Sequence, residues 1–278
     1  MTIPAARAHL YQLRILSLGA GVQSTAIFLM SIKEILPKPH LAIFADTGWE
    51  TMQTYQHLEW LEQMGKEHGI PVVRVSGGSI RDGLINCAET RHAAVPYFIA
   101  TSDGYGLGRR QCTKEYKLDP IRRKTRELLG IRPGQRAPQG SVEQWIGISM
   151  DELRRTRIYK PDRMAHVRFP LVEWVQMSRT QCIRWIDHHF PGHVPPKSSC
   201  IGCPYHTDHE WRSLTDEEFH NACEVDEAIR SPRGLKNPAY LHRSCVPLSE
   251  VNLTDNQMRL FDPSDDKNSI ILSGLAEI

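Results

Sequence analysis

Apolar residues in this chain fall in short runs separated by glycine turns and amphipathic stretches. Leu13–Leu18 (LRILSL) is a mostly apolar run that stops at Gly19-Ala20-Gly21, and Ala26-Ile27-Phe28-Leu29-Met30 follows. That order predicts a strand, a glycine turn and a helix. His40–Ala45 (HLAIFA) predicts a second strand, ending at Asp46-Thr47-Gly48. Tyr55, Leu58, Leu61 and Met64 then recur at helical spacing, and Val72–Val75 predicts a third strand. Trp145–Ile148 (WIGI) predicts another strand and Arg179–His188 an amphipathic helix. The stretches 100–112 and 131–141, rich in Gly, Pro and Gln, predict loops. After Pro191 the pattern weakens, and the chain from Pro195 onward reads as an irregular cap or tail. No internal repeat is visible.

Strands alternating with helices of this size predict an α/β fold with a mainly parallel sheet. Ligands on such sheets sit at the C-terminal ends of the strands, where the glycine turn and the Asp46-Thr47-Gly48 turn both fall. Composition narrows the class. With 278 residues, 40% hydrophobic and 24% charged, the chain is neither disordered, collagen-like nor coiled-coil. The longest apolar run, Ala93–Ala100, is too short to span a bilayer, and the first residues lack the apolar stretch of a secretory signal. Seven cysteines, an odd number irregularly spaced, read as reduced thiols for metal binding or catalysis. The expectation is a soluble, cytoplasmic protein with no membrane partner.

The net charge of +2 hides an uneven distribution. Arg109 to Arg136 holds ten Lys/Arg against three Asp/Glu, while Ser213 to the end holds six against twelve. The basic block is either a footprint for a polyanion or a solvated helix face.

Ser17-Leu18-Gly19-Ala20-Gly21-Val22-Gln23-Ser24-Thr25 is neither G-x-x-x-x-G-K-[ST] nor G-x-G-x-x-G. Its small residues nonetheless let backbone N–H groups approach an anion at a helix N-terminus, with hydroxyls at hand. The bland alternative is a tight turn. In its wider context the loop resembles the PP-loop of the ATP pyrophosphatase superfamily, usually S-G-G-x-D-S. Gly21, Gln23 and Ser24 match the second Gly, the Asp and the final Ser. Gln in place of Asp resembles the branch of phosphoadenosine-phosphosulfate (PAPS) reductases. Four further segments agree in order. Phe44-Ala45-Asp46-Thr47-Gly48 is similar to that branch's D-T-G turn, and Cys112 to Ile121 to its C-x-x-x-x-K-[VL]-x-P-[LI] segment. Gly147 to Arg155 resembles G-[LIV]-R-x-x-[EQ]-S-x-x-R, with Ser149 for the first Arg, Leu153 for the Ser and the last Arg one residue early. Phe169-Pro170-Leu171-Val172-Glu173-Trp174 resembles Y-P-[IL]-x-x-W. The resemblance spans roughly residues 12–212.

The resemblance implies a Rossmann-like, adenine nucleotide α-hydrolase-like domain over residues 1–190, with a Cys-bearing segment over 191–278. It implies that Gly19, Ala20, Gly21, Val22, Gln23 and Ser24, with the hydroxyls of Ser17, Ser24 and Thr25, cradle the phosphates of ATP. Asp46, Thr47 and Gly48 would lie beside the adenosine. Lys117, Arg155 and Arg110 would supply cations to phosphate oxygens, each with a surface salt bridge as the alternative. Gln23 removes the loop carboxylate that is the natural magnesium partner, so a magnesium ion would need Asp46, Asp151 or Glu152.

Cys200-Ile201-Gly202-Cys203-Pro204 is a CxxC followed by Pro, a pattern that recurs among iron–sulfur proteins. By resemblance Cys112, Cys200 and Cys203 are ligands of a [4Fe–4S] cluster, and Cys245 is the choice for a fourth. An iron left open for a sulfur species is the competing arrangement. Zinc held with His206 and His209, and a redox dithiol, remain open. Cys182 reads as core. The function implied is an ATP pyrophosphatase-type sulfurtransferase, similar to the sulfur-inserting subunit of DNA phosphorothioation systems. It would adenylate an acceptor, expected to be nucleic acid, and take sulfur from a donor such as a cysteine desulfurase. A sulfonucleotide reductase is the first alternative, although no Cys follows Cys245 to act as its C-terminal nucleophile. A non-catalytic nucleotide- or nucleic-acid-binding subunit is the second.

Overall fold

The computed structural model describes residues 11–89, 95–102, 104–159, 163–231 and 236–253. In chain order the elements are β1 (Leu13–Leu18), α1 (Val22–Ile32), β2 (Leu41–Asp46), α2 (Met52–His68), β3 (Val72–Ser76), α3 (Ile80–Ile85), β4 (Phe98–Thr101) and β5 (Gly104–Leu107). A π-helical turn (Thr113–Leu118) leads into α4 (Asp119–Leu128), then β6 (Val142–Ile146) and a 3₁₀ segment (Met150–Ile158). After these come β7 (Ala165–Arg168), α5 (Pro170–Glu173), α6 (Arg179–His189), α7 (Asp208–Arg212), α8 (Asp216–Ala228), β8 (Ala239–Tyr240) and a 3₁₀ turn (Leu248–Glu250). The chain divides into two compact units. One comprises Met1–Asp46, Met52–Val75 and Leu118–Ser198, and the other Thr47–Thr51, Ser76–Lys117 and Ser199–Ile278.

The first unit is the α/β layer structure that the alternating pattern predicts. Its sheet runs β3-β2-β1-β6-β7, with β1 parallel to both β2 and β6, and β6 parallel to β7. β2 is buried along nearly its whole length, as expected of a strand covered on both faces. Alternate residues serve the two faces. Leu16, Leu18, Ala42 and Phe44 pack with Phe28 of α1 and Leu58 of α2. Ile15, Leu41 and Ile43 pack with Ile121 of α4. The strand order reverses at β1, because the chain moves outward to β3 and later returns on the other side at β6. Crevices at such switch points are where ligands of open α/β sheets bind. The Gly19–Gly21 turn leaves β1 at this point.

The second unit holds a three-stranded sheet, β5-β4-β8, antiparallel throughout, and a separate core around Trp49, Tyr97, Trp211 and Val225. Asp226, 1% exposed, organises its end: the carboxylate accepts from the Leu241 and Leu248 amides and from Arg230.

Three local expectations are corrected. The expected loop 100–112 contains part of the β4–β5 hairpin, whose Gly-rich second strand pairs Gly106 with Ile99. β6 begins at Val142 and ends at Ile146, not Trp145–Ile148. The region after Pro191 is not irregular throughout: Thr207 and Thr215 each open a helix with a reciprocal capping box to Glu210 and Glu218. Residues 254–278, which include part of the acidic tail, lie outside the described residues. Among the described residues no helix is long and apolar enough to cross a membrane.

Candidate functional site

In the first unit, β1 passes to α1 through a backbone shape suited to anions. Ala20 has φ of 53°, in the left-handed region, and Gly21 is an N-cap whose first helical turn carries no side-chain cap and no acidic residue. A left-handed residue before an open helix N-terminus turns successive amides toward one concavity. Gly147, after β6, makes this packing possible: a Cβ there would lie 2.7 Å from the Ser24 amide nitrogen.

The three hydroxyls expected to meet phosphate all have internal partners. Ser17 accepts from Gln144 at 2.9 Å. Ser24 accepts from the Gly19 amide at 3.1 Å and donates to the Gly21 carbonyl at 3.2 Å, closing the turn on itself. Thr25 is bonded to His57 Nε2 at 3.0 Å, and burial, with His193 adding to it, lowers the His57 pKa to about 4. Ser198 reaches the same turn, donating to the Gly19 carbonyl, with its Cβ 3.0 Å from where a Cβ on Gly21 would be.

The carboxylates considered for magnesium are engaged as well. Asp151 accepts from the Arg179 amide at the start of α6, and this and Ser149 hold its pKa down against burial. Glu152 accepts from the Gln23 amide at 2.8 Å and pairs with Arg155, whose side chain is half exposed. Asp46 accepts from Tyr55.

In the second unit, Thr47, Glu50, Lys117 and Cys200 form one polar cluster. Glu50 is 3% exposed, and its Oε1 accepts from Thr47 at 2.9 Å, with Lys117 Nζ at 3.4 Å and Cys200 Sγ at 3.9 Å. Its Oε2 is buried without a partner, as is Trp211 Nε1. Burial pulls the Lys117 pKa down, but Glu50, Cys200 and Cys203 outweigh it and hold the ammonium charged. Burial, and then Glu50, push the Cys200 thiol up. The Trp49 ring packs against the CxxC turn: a Cβ on Gly202 would fall 2.0 Å from its Cη2, so only glycine fits. Gly48, at φ of 67°, packs on Ser79.

Cys112 and Cys203 both act electrostatically on Tyr205, over whose ring Arg110 stacks at 5.3 Å. Cys245 has Arg230 as its charged neighbour, and burial pushes its thiol up. Among the described residues no three His, Cys, Asp or Glu side chains are grouped closely enough to hold a metal ion. Around Cys200 the polar groups are the Lys117 ammonium, the Thr47 hydroxyl and the Glu50 carboxylate, one oxygen of which is buried without a partner among the described residues. Cys182 is fully buried in the core of the first unit, its thiol pushed up to about 12 by burial.

Sequence reading singled out the loop, Lys117 and the CxxC; it did not name Glu50, His57, Gln144 and Ser198, which carry no motif and which the structure places against Lys117, Thr25, Ser17 and Gly19. No protein-family model matches the chain, and no curated protein matches it.

Proposed function

We propose that this chain is an ATP pyrophosphatase-type enzyme of the PAPS reductase-like branch, acting in sulfur transfer to a nucleic-acid acceptor. The observation that carries the reading is the Gly19-Ala20-Gly21 turn, with left-handed Ala20 leading into an uncapped helix N-terminus at the switch point of a parallel sheet. Such a turn binds phosphates through backbone amides. An acceptor oxygen attacks the α-phosphorus of ATP, pyrophosphate leaves, and the acceptor is left as its adenylate. A sulfur nucleophile then displaces AMP. Activation is required because an oxygen is a poor leaving group until it is esterified to phosphate.

Cys112, Cys200 and Cys203 would hold an iron–sulfur cluster, and Lys117 would balance their thiolate charge. When bound, a cluster with an iron free of protein ligands supplies a docking point for a sulfur species. Glu50 orients Lys117, and Thr47 orients Glu50.

The test incubates anaerobically prepared protein and ATP with single-stranded DNA, double-stranded DNA or tRNA, with and without a cysteine desulfurase. AMP and pyrophosphate should appear only with an acceptor present. Sulfite released from PAPS or adenosine phosphosulfate with a thiol donor, without ATP turnover, would instead make the chain a reductase. Iron content and a broad visible absorption, lost in Cys200→Ala, test the cluster separately.

A further inference from the structure

Gln23 sits in the first turn of α1 between buried Val22 and Ser24, so the helix fixes the direction of its side chain. Its carboxamide donates to Glu152 Oε2 at 2.8 Å and to Ser149 Oγ at 3.4 Å. The other oxygen of Glu152 accepts from Arg155. A neutral amide, a carboxylate and a guanidinium therefore run in a row from the loop, with no net charge. The start of the 3₁₀ segment is anchored without Gln23: the Met150 amide bonds to the Met177 carbonyl, and Asp151 holds the Arg179 amide. The Glu152–Arg155 part has its contact to the loop through Gln23. A carboxylate at position 23 would meet Glu152 at hydrogen-bond distance and add negative charge beside a turn shaped for anions.

We infer that Gln23 is a positioning residue: its amide latches the phosphate loop to Glu152, through Glu152 fixes Arg155, and keeps the cradle free of added negative charge. This rests on the reading of the loop as a nucleotide-phosphate site. An exchanged pair tests it with the 23–152 contact and the contact to Arg155 retained, giving up only the longer contact to Ser149. With Gln23→Glu and Glu152→Gln together, the amide at 152 donates to the carboxylate at 23, and its carbonyl still accepts from Arg155. Along the 23–152–155 row only the charge moves, onto the loop.

Hydrogen exchange without nucleotide, followed in peptides covering residues 17–28 and 148–158, reads the latch directly. Gln23→Leu should raise exchange in both peptides by about tenfold, the loss expected for a hydrogen bond to a charged group. The exchanged pair should return both to the wild-type rate. Unchanged exchange in Gln23→Leu would overturn the latch, as would a rise in one peptide alone or one that the exchanged pair leaves uncorrected. Calorimetry with ATP reads the consequence. Gln23→Leu should bind about tenfold more weakly, and the exchanged pair should stay weaker than wild type despite its restored exchange. Wild-type affinity in Gln23→Leu would overturn the link to nucleotide binding. If wild type itself does not bind ATP, the nucleotide reading falls, and with it that link, while the exchange result still decides the latch.

Discussion

Lys117 Nζ lies 3.4 Å from Glu50 Oε1, and the two side chains differ in exposure, 33% against 1%. The pair is a buried carboxylate neutralised by a lysine that reaches it from the surface. Lys117→Met should therefore destabilise the protein by about 2 kcal/mol, less than for a wholly buried pair, by stranding the Glu50 charge. Glu50→Gln with Lys117→Met should recover part of that loss. Urea denaturation at neutral pH checks both, and a Lys117→Met protein as stable as wild type would mean that the ammonium does not neutralise Glu50.

Asp226 joins Leu241, Leu248 and Arg230 through one buried carboxylate. Asp226→Ala leaves two buried amides without acceptors and should cost about 3 kcal/mol. Asp226→Asn keeps an acceptor and should cost less. Equal losses in the two variants would show that size, and not the accepting oxygens, matters here.

Gly202 meets Trp49 so closely that a methyl group cannot be added without moving the CxxC turn. Gly202→Ala should destabilise by about 2 kcal/mol, as overpacking does, and shift the tryptophan emission. Gly106→Ala, where the nearest atom is 3.8 Å away, is the matched control and should change stability by no more than about 0.5 kcal/mol.

The lowered pKa of His57, about 4 against an ordinary 6.5, predicts an acid sensitivity. The folded chain binds this proton less readily than the unfolded chain. Stability should thus be full above pH 6.5 and fall as the pH drops toward 4, by up to about 3 kcal/mol. His57→Gln, which retains a partner for Thr25, should flatten that part of the curve. A profile between these pH values identical to wild type would reject the assignment.

The sequence disclosed what is local. Leu13–Leu18 reads as a strand because its residues are buried on both faces, and the glycines after it mark a turn. The Thr207 and Thr215 capping boxes were equally legible, yet the weak periodicity of α8 hid them: most of its surface is polar, with Ala222, Val225 and Asp226 buried. The partners of the site residues were not legible. Gln144 meets Ser17 across 127 positions, Ser198 meets Gly19 across 179, and Cys200 meets Glu50 across 150. Glu50 meets Thr47 three residues away, but nothing near it in the chain marks it as the counter-charge for Lys117. Pairings of this kind are fixed by the order of strands and the reach of loops, which no short window contains.

Ser24 and Thr25 bond inward, so on the proposed reading the turn would meet a ligand chiefly through its main chain. Main-chain amides are the same whatever residue carries them, so substitutions in the turn can break such a receptor but can scarcely retune it. Changes in ligand preference would have to arise at a distance, in Gln144, His57, Ser198 and Glu152, which shape the turn without forming part of it. Two chains with identical turns can on this account have different appetites, and two with different turns the same one.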